Sequence, residues 1–366
     1  MLPVFFVLSL IGREQKMITR LILFLCLTGC AADRPGVAVD PDIFPVPIAL
    51  NANLSGEEPF QNYETEYLAI RALGASCVQT SAPWASLNPT GTTYDLTPIV
   101  NPFFGLSKLK EMGYTLIYLN IPIVAINARS MPADINGLPF DDPLVIQRFH
   151  ALLDAIHASL PTEVKFISLG NEVDTYFSSH GGEWTAYKSL VEDARMYLKS
   201  LRPAVMVGVT TTFAGCTSTF AAEIALLNSG MDFVSLTYYP LEGSGFFPRT
   251  PATVPGDVTK MLAASPGKPL VLQEWGYPSS AALGSSEDTQ AEFMTLSLQE
   301  IRKQGPSKFL LVSFFKYRDW SPVFSASLTG QTAGQPFYEF MNSLGLKRND
   351  GTPKKAFDIL SQAINP

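Results

Sequence analysis

Histidine and cysteine are scarce in this chain, with 3 and 4 copies among 366 residues. Metal hydrolases assemble His and Asp clusters, so the histidine count argues against a metal centre, and no organic cofactor is implied by any motif. Four cysteines are too few for a disulfide-stapled scaffold. Charged residues make up only 16% of the chain, 33 acidic against 26 basic, for a formal net charge of −7. No Lys/Arg stripe relieves that acidic balance, which argues against a nucleic-acid surface; a neutral polymer meets no such penalty. The Gly period of a fibre and the low hydrophobicity of a disordered chain are both missing. No apolar run is long enough to span a bilayer as a helix.

What is present is 46% apolar residues over a length that can bury a large core. Two apolar runs, 2–11 and 18–27, open the chain, separated by Arg13, Glu14 and Lys16. The second follows Lys16 and Arg20 and ends in Leu27-Thr28-Gly29-Cys30, which resembles the bacterial lipobox. That resemblance implies an exported protein, lipidated on Cys30 and anchored to a bacterial membrane, with 1–29 as its leader; Met17 begins a complete short leader by itself. The Asp- and Pro-containing stretch 30–44 reads as a tether, and 45–366 as one domain. Within that domain only Cys77 and Cys216 remain. Cys77 lies in a buried-strand pattern, where a free thiol is expected over a disulfide.

Short apolar runs bounded by turn residues alternate with longer segments of helical periodicity. Strands are expected at 46–50, 76–80, 115–119, 165–169, 205–209, 233–237, 270–273 and 309–314. Helices are expected at 63–73, 104–112, 143–160, 185–201, 218–227, 256–264, 287–303 and 353–363. The strands read as continuous apolar runs, the mark of parallel strands covered on both faces. Eight such units fit an α/β fold, a single-domain (β/α)8 TIM barrel. An open doubly wound sheet would want a Gly-rich turn after its first strand, where Asn51-Ala52-Asn53-Leu54 stands.

In a barrel of this kind the site gathers at the C-terminal ends of the strands. The fourth strand breaks into Gly170-Asn171-Glu172-Val173-Asp174, and the seventh ends in Glu274-Trp275-Gly276-Tyr277-Pro278. A carboxylate at the mouth of a buried strand is costly unless used or paired. Two carboxyls held in different environments are what glycosidic bond cleavage with retention requires, one as nucleophile and one as acid then base.

Asn171-Glu172 with Glu274 resembles the clan A glycoside hydrolases. The resemblance implies a retaining β-glycosidase acting on a β-linked poly- or oligosaccharide. Glu274 would be its nucleophile, Glu172 its acid/base, and Asn171 the partner of the sugar 2-hydroxyl. Tyr238-Tyr239-Pro240 is similar to the clan's strand-six tyrosine motif, with Tyr238 the expected contact to the nucleophile. The run from Phe315 to Trp320 matches the aromatic platform beneath the reacting sugar. Together with Glu274-Trp275-Gly276-Tyr277-Pro278, the tyrosine motif looks most like the family 53 endo-β-1,4-galactanases. Two departures stand out. The second strand reads Cys77-Val78-Gln79-Thr80-Ser81, without the arginine many members carry there, and the third is followed by Asn120-Ile121-Pro122-Ile123-Val124 instead of a galactanase-like polar motif.

Trp84, Trp275 and Trp320 all fall just past expected strand ends, where aromatic faces would stack on sugar rings. His180 follows the fourth strand and is a lesser candidate; His150 and His157 are expected on a helix face. The chain is expected to be monomeric. The alternative reading is a non-catalytic carbohydrate-binding surface lipoprotein on a glycosidase-like barrel.

Overall fold

The apolar runs pair side by side, all in parallel. The computed structural model describes residues 44–52, 60–101, 105–218, 220–243 and 245–365. The leader, Cys30 and all of the tether except Phe44 lie outside the described residues. Nine strands form one sheet: Ile48–Leu50, Cys77–Ser81, Leu116–Asn120, Val164–Ser168, Met206–Gly208, Thr210–Thr212, Val234–Tyr238, Leu270–Trp275 and Phe309–Phe314. The first pairs with the last, Ile48 opposite Val312. Met206–Gly208 pairs with Val164–Ser168, and Thr210–Thr212, one residue further on, pairs with Val234–Tyr238. These two segments flank Val209 as one interrupted stave, so the ring closes with eight staves. This is the (β/α)8 barrel expected from the sequence.

The eight expected helices are present with ends moved by a few residues, among them Pro143–His157, Trp184–Leu201 and Glu287–Gln304. Their starts carry recognisable caps: Asp142 accepts from the Leu144 amide, and Ser286 and Thr289 form a reciprocal capping pair. Most of the core lies between helices and barrel, while Ala49, Cys77, Tyr118, Phe166, Phe233, Val271 and Leu311 form a separate cluster contributed by the strands. Cys77 fills that cluster and Cys216 is buried elsewhere; both are free, as expected. Burial pushes each thiol up to about 11, so neither is poised to react.

Elements beyond the expected set follow strand ends and therefore build the mouth. A hairpin, Val124–Ala125 with Ala128–Arg129, follows Leu116–Asn120; the helix Val173–Phe177 follows Val164–Ser168; and a second hairpin, Leu241–Glu242 with Phe247–Pro248, follows Val234–Tyr238. Two short helices, Pro322–Thr329 and Pro336–Met341, follow the last strand.

Candidate active site

Glu172 and Glu274 are linked at the mouth through Thr237, on the strand that neighbours Leu270–Trp275. Thr237 Oγ1 donates to Glu172 Oε1 at 2.6 Å, and Thr237 is also the register partner of Glu274. Two local features aim these carboxylates. Around Glu274 the register slips against both neighbouring strands, a bulge after Leu272. A bulge places consecutive side chains where strict alternation would send them to opposite faces. Gln273 consequently reaches Tyr118, Thr210 and Asn171, while Glu274 accepts from Tyr239 Oη at 2.9 Å. Glu172, in turn, has left-handed backbone, φ 50° and ψ 44°, just before the Val173–Phe177 helix. For a residue with a Cβ this costs about 1 kcal/mol or more and survives only where its surroundings fix it.

Those surroundings are tight. A Cβ on Gly170 would meet Val173 Cγ1 at 2.4 Å and Tyr187 Oη at 2.5 Å, so only glycine lets the chain turn here. Asn171 then bonds the Val124 hairpin on both sides: its amide donates to Val124 O at 2.9 Å, and its carbonyl accepts from Ile126 N at 2.7 Å. Its side-chain oxygen accepts from Gln273 Nε2, which orients the amide and leaves Nδ2 as the free-facing donor end. Beneath lies a buried polar network in which Tyr118 Oη contacts Ser235 Oγ at 3.0 Å, Thr210 Oγ1 at 3.1 Å and Gln273 Oε1 at 2.9 Å. Such a network, fully satisfied, fixes its members in one arrangement.

Both carboxyls are pushed above the usual carboxylate range. Desolvation is the main cause for each; the charge of Glu172 adds to it at Glu274, raised to about 8, and the charge of Asp174 adds to it at Glu172. The bonds from Tyr239 and Gln273 pull Glu274 the other way. Two interacting carboxyls of this kind titrate as a pair, and the pair holds a proton near neutral pH. Asp174 itself is buried, with Oδ1 on the Thr212 amide at 2.8 Å and Oδ2 on its hydroxyl at 2.6 Å, so it anchors the Thr210–Thr212 segment while acting on Glu172.

The pair stands between two cavities. Glu274, Asn171 and Gln273 line one of about 460 Å³, with Tyr63, Tyr67 and Phe315 as its aromatic wall. Glu172, Thr237 and Tyr239 line the other, of about 690 Å³, with Phe213, Leu241 and Phe246.

The aromatic expectations need correction. Tyr238 is buried and donates to Asp257 at 3.0 Å; it is Tyr239 that reaches Glu274. Trp84 is fully buried against Phe149 at 4.8 Å, and Trp275 is fully buried against Phe314 at 5.4 Å, so neither offers a face to a sugar. Trp320 is half-buried under the Lys316 ammonium, 3.2 Å from its ring centroid, and lines neither cavity. Phe315, Tyr63 and Tyr67 take the place expected of the tryptophans. The pattern of aromatics before a Glu or after a strand carries no signal that separates the two sets. His180 stacks on Tyr176 at 4.0 Å and lines neither cavity, while His150 pairs with Asp193 and stacks on Tyr197. Among the described residues, no group of three or more His, Cys, Asp or Glu could hold a metal ion, and no helix is long and apolar enough to cross a membrane.

The fold is thus a (β/α)8 barrel with a carboxyl pair at its mouth, the architecture of many enzymes that act on sugars. Solved structures share it. An exo-β-1,4-mannosidase from Opitutaceae bacterium strain TAV5 aligns with 87% of this chain at a TM-score of 0.64 and 19% identity. A GH5_18 protein from Streptomyces cattleya, in complex with Manβ1-4GlcNAc, aligns with 87% at 0.63 and 16% identity, over 80% of its own length. A β-glucuronidase from Bacteroides uniformis aligns with 87% at 0.59 and 14% identity. The chain spans only 59% of the mannosidase and 35% of the glucuronidase. No family model and no curated protein matches the chain.

Proposed function

We propose that the protein is a retaining β-glycoside hydrolase in which Glu274 is the nucleophile and Glu172 the acid/base. The observation that carries this reading is the carboxyl pair at the barrel mouth, Glu172 bonded to Thr237 and Glu274 its register partner, each lining one of two cavities. Chemically the roles divide by side. Attack on the anomeric carbon places the glycone in the cavity of Glu274, and protonation of the departing oxygen places the leaving group in that of Glu172. The reactive form is the singly protonated pair with its proton on Glu172, a form that the Tyr239 and Gln273 bonds to Glu274 favour. In it ionised Glu274 forms the glycosyl-enzyme bond as Glu172 gives its proton to the leaving oxygen; Glu172 then deprotonates the water that cleaves the intermediate. Tyr239 steadies the carboxylate of Glu274, and the Asn171 amide donates to the sugar 2-hydroxyl.

The motif likeness to endo-β-1,4-galactanases puts β-galactan among the substrates to try, and the likeness to a mannosidase puts β-mannosides beside it. The test is hydrolysis of aryl β-glycosides and β-glycans by the full chain, with the product anomer read by NMR as it forms. Retention, together with loss of turnover in Glu274→Ala and Glu172→Ala, is the expected result; an inverted first product overturns the mechanism. The non-catalytic alternative draws on one feature, the neutral Gln79–Asn51 pair where clan members carry arginine. A folded chain that binds glycans and cleaves none would favour it.

Residues 1–30 support export and lipid anchoring through Cys30. Incorporation of labelled fatty acid that disappears in Cys30→Ser tests this, and a protein that stays unlabelled in both forms refutes it.

A further inference from the structure

The cavity beside Glu274 is uniform in charge. Among the described residues that line it none is a lysine, arginine or histidine, and the one charged group among them is the Glu274 carboxyl, which feels the charge of Glu172. On the second strand Gln79 lines it, held by Asn51 Nδ2 at 2.7 Å and therefore already engaged. Asn120 ends the third strand in the same cavity. It is 2% exposed, and its Oδ1 has no hydrogen-bond partner. A buried carbonyl oxygen left without a donor is an uncommon and costly state, relieved by any hydroxyl that enters the cavity. Uronic acids and neutral sugars both carry such hydroxyls, so charge is what separates them here. A uronic acid would add a second negative charge beside the Glu274 carboxyl, where the described lining residues offer no cation.

We propose that this cavity is a subsite for a neutral pyranose, that Asn120 Oδ1 accepts from one of its hydroxyls and so determines specificity, and that uronic acid sugars are excluded from it. This rests on the reading of Glu274 as nucleophile, which puts the glycone here. It also separates the chain from the β-glucuronidase whose barrel it resembles.

The experiment compares the full chain and Asn120→Ala on 4-nitrophenyl β-D-mannoside, β-D-glucoside, β-D-galactoside and β-D-glucuronide at pH 7. In the wild-type chain, kcat/KM on the preferred neutral glycoside exceeds that on the glucuronide by about 100-fold or more. Asn120→Ala lowers the neutral value by about tenfold at unchanged Tm, a lost hydrogen bond's worth. On the monodeoxy analogue lacking the partnered hydroxyl, wild type and variant become equal. A structural role for Asn120 would instead lower both substrates alike and overturn the assignment.

Glucuronide turnover equal to the neutral sugars, abolished by Glu274→Ala, overturns the inference and leaves the hydrolase reading standing. A folded chain inert on every glycoside sinks the hydrolase reading, and the inference is then decided by calorimetry with methyl β-glycosides. Binding of a neutral methyl glycoside over methyl β-D-glucuronide upholds it; the reverse preference, or no binding, refutes it.

Discussion

The Tyr239 hydroxyl donates to Glu274 at 2.9 Å, while the hydroxyl of its chain neighbour Tyr238 is spent on Asp257 at 3.0 Å. Adjacent residues at a strand end point to opposite faces, so one tyrosine serves the site and the other the core. Tyr239→Phe is therefore expected to lower kcat by about 10- to 100-fold with little change in Tm, since one hydrogen bond to the reacting carboxylate is removed. Tyr238→Phe does the reverse, leaving kcat near wild type and costing about 1 kcal/mol of stability, because Asp257 loses one buried donor but keeps its ion pair with Arg249. Steady-state kinetics beside thermal denaturation of both variants checks the division.

Much of this arrangement can be read in the amino-acid sequence, and the limits are physical. Strands covered on both faces are largely apolar, so Leu116–Asn120, Leu270–Trp275 and Phe309–Phe314 show as nearly unbroken runs, while Cys77–Ser81 turns polar only where it reaches the mouth. A carboxylate directly after such a run stands out against its cost, which is why Glu172 and Glu274 are legible. Tyr239 is not, because its reach to Glu274 depends on the bulge after Leu272, and a bulge leaves no mark that a neighbouring regular strand lacks. Trp84 and Trp275 mislead for a related reason. An aromatic past a strand end packs inward or faces the cleft according to the hairpins and short helices above it, and those tertiary coverings are not periodic.

The carboxyl pair sets the pH behaviour. Glu274 in the folded chain is raised to about 8, chiefly by burial and then by the charge of Glu172. Activity needs the singly protonated pair and should fall on the alkaline side as the proton on Glu172 leaves, above the usual carboxylate range because burial raises Glu172 as well. Glu172→Gln removes the neighbouring charge and should bring the titration of Glu274 down, visible by NMR of the carboxyl carbon. Unchanged titration in that variant would show that desolvation alone raises Glu274.

Linkage gives the same pair a stability consequence. A carboxyl with a raised folded-state pKa binds more protons folded than unfolded, so stability declines as pH climbs from about 4.5 toward 8. Neutral Glu274→Gln escapes its share of this decline, while Glu172, also raised by burial, keeps its own. The variant should match wild type near pH 4.5 and exceed it by on the order of 2 kcal/mol at pH 8.5, after allowance for water in the cavity. Denaturant midpoints at the two pH values decide it.

Trp84 tests the boundary between core and cleft. Its ring is fully buried against Phe149 and touches neither cavity. Trp84→Ala should cost about 3–5 kcal/mol, the usual loss for an emptied aromatic site. Trp84→Phe, which keeps most of the packing, should leave KM within about twofold of wild type. A KM rise well above this with an unaltered Tm would return Trp84 to the substrate.

The tail is held by a buried charge cluster. Lys354 is 3% exposed and pairs with Asp319 Oδ2 at 2.6 Å, while Asp319 Oδ1 accepts from the Gly345 amide at 2.7 Å. Lys354 Nζ also donates to Ser279 Oγ at 3.0 Å and Ser343 O at 3.1 Å, tying the segment before the last helix, Lys355–Ile364, to the loop beyond Glu274. Burial and the neighbouring Lys316 set the terms here. With Lys354 removed, Asp319 loses its direct partner, and Lys316, held well below the usual lysine range by desolvation, is not a full replacement. Lys354→Met should therefore cost about 3–5 kcal/mol, as breaking a buried pair does. The double variant Lys354→Met/Asp319→Asn should recover part of that loss, because the stranded charge is gone. Equilibrium unfolding of the single and double variants tests this. Strictly additive losses would mean that the two side chains stabilise the tail independently and not as a pair.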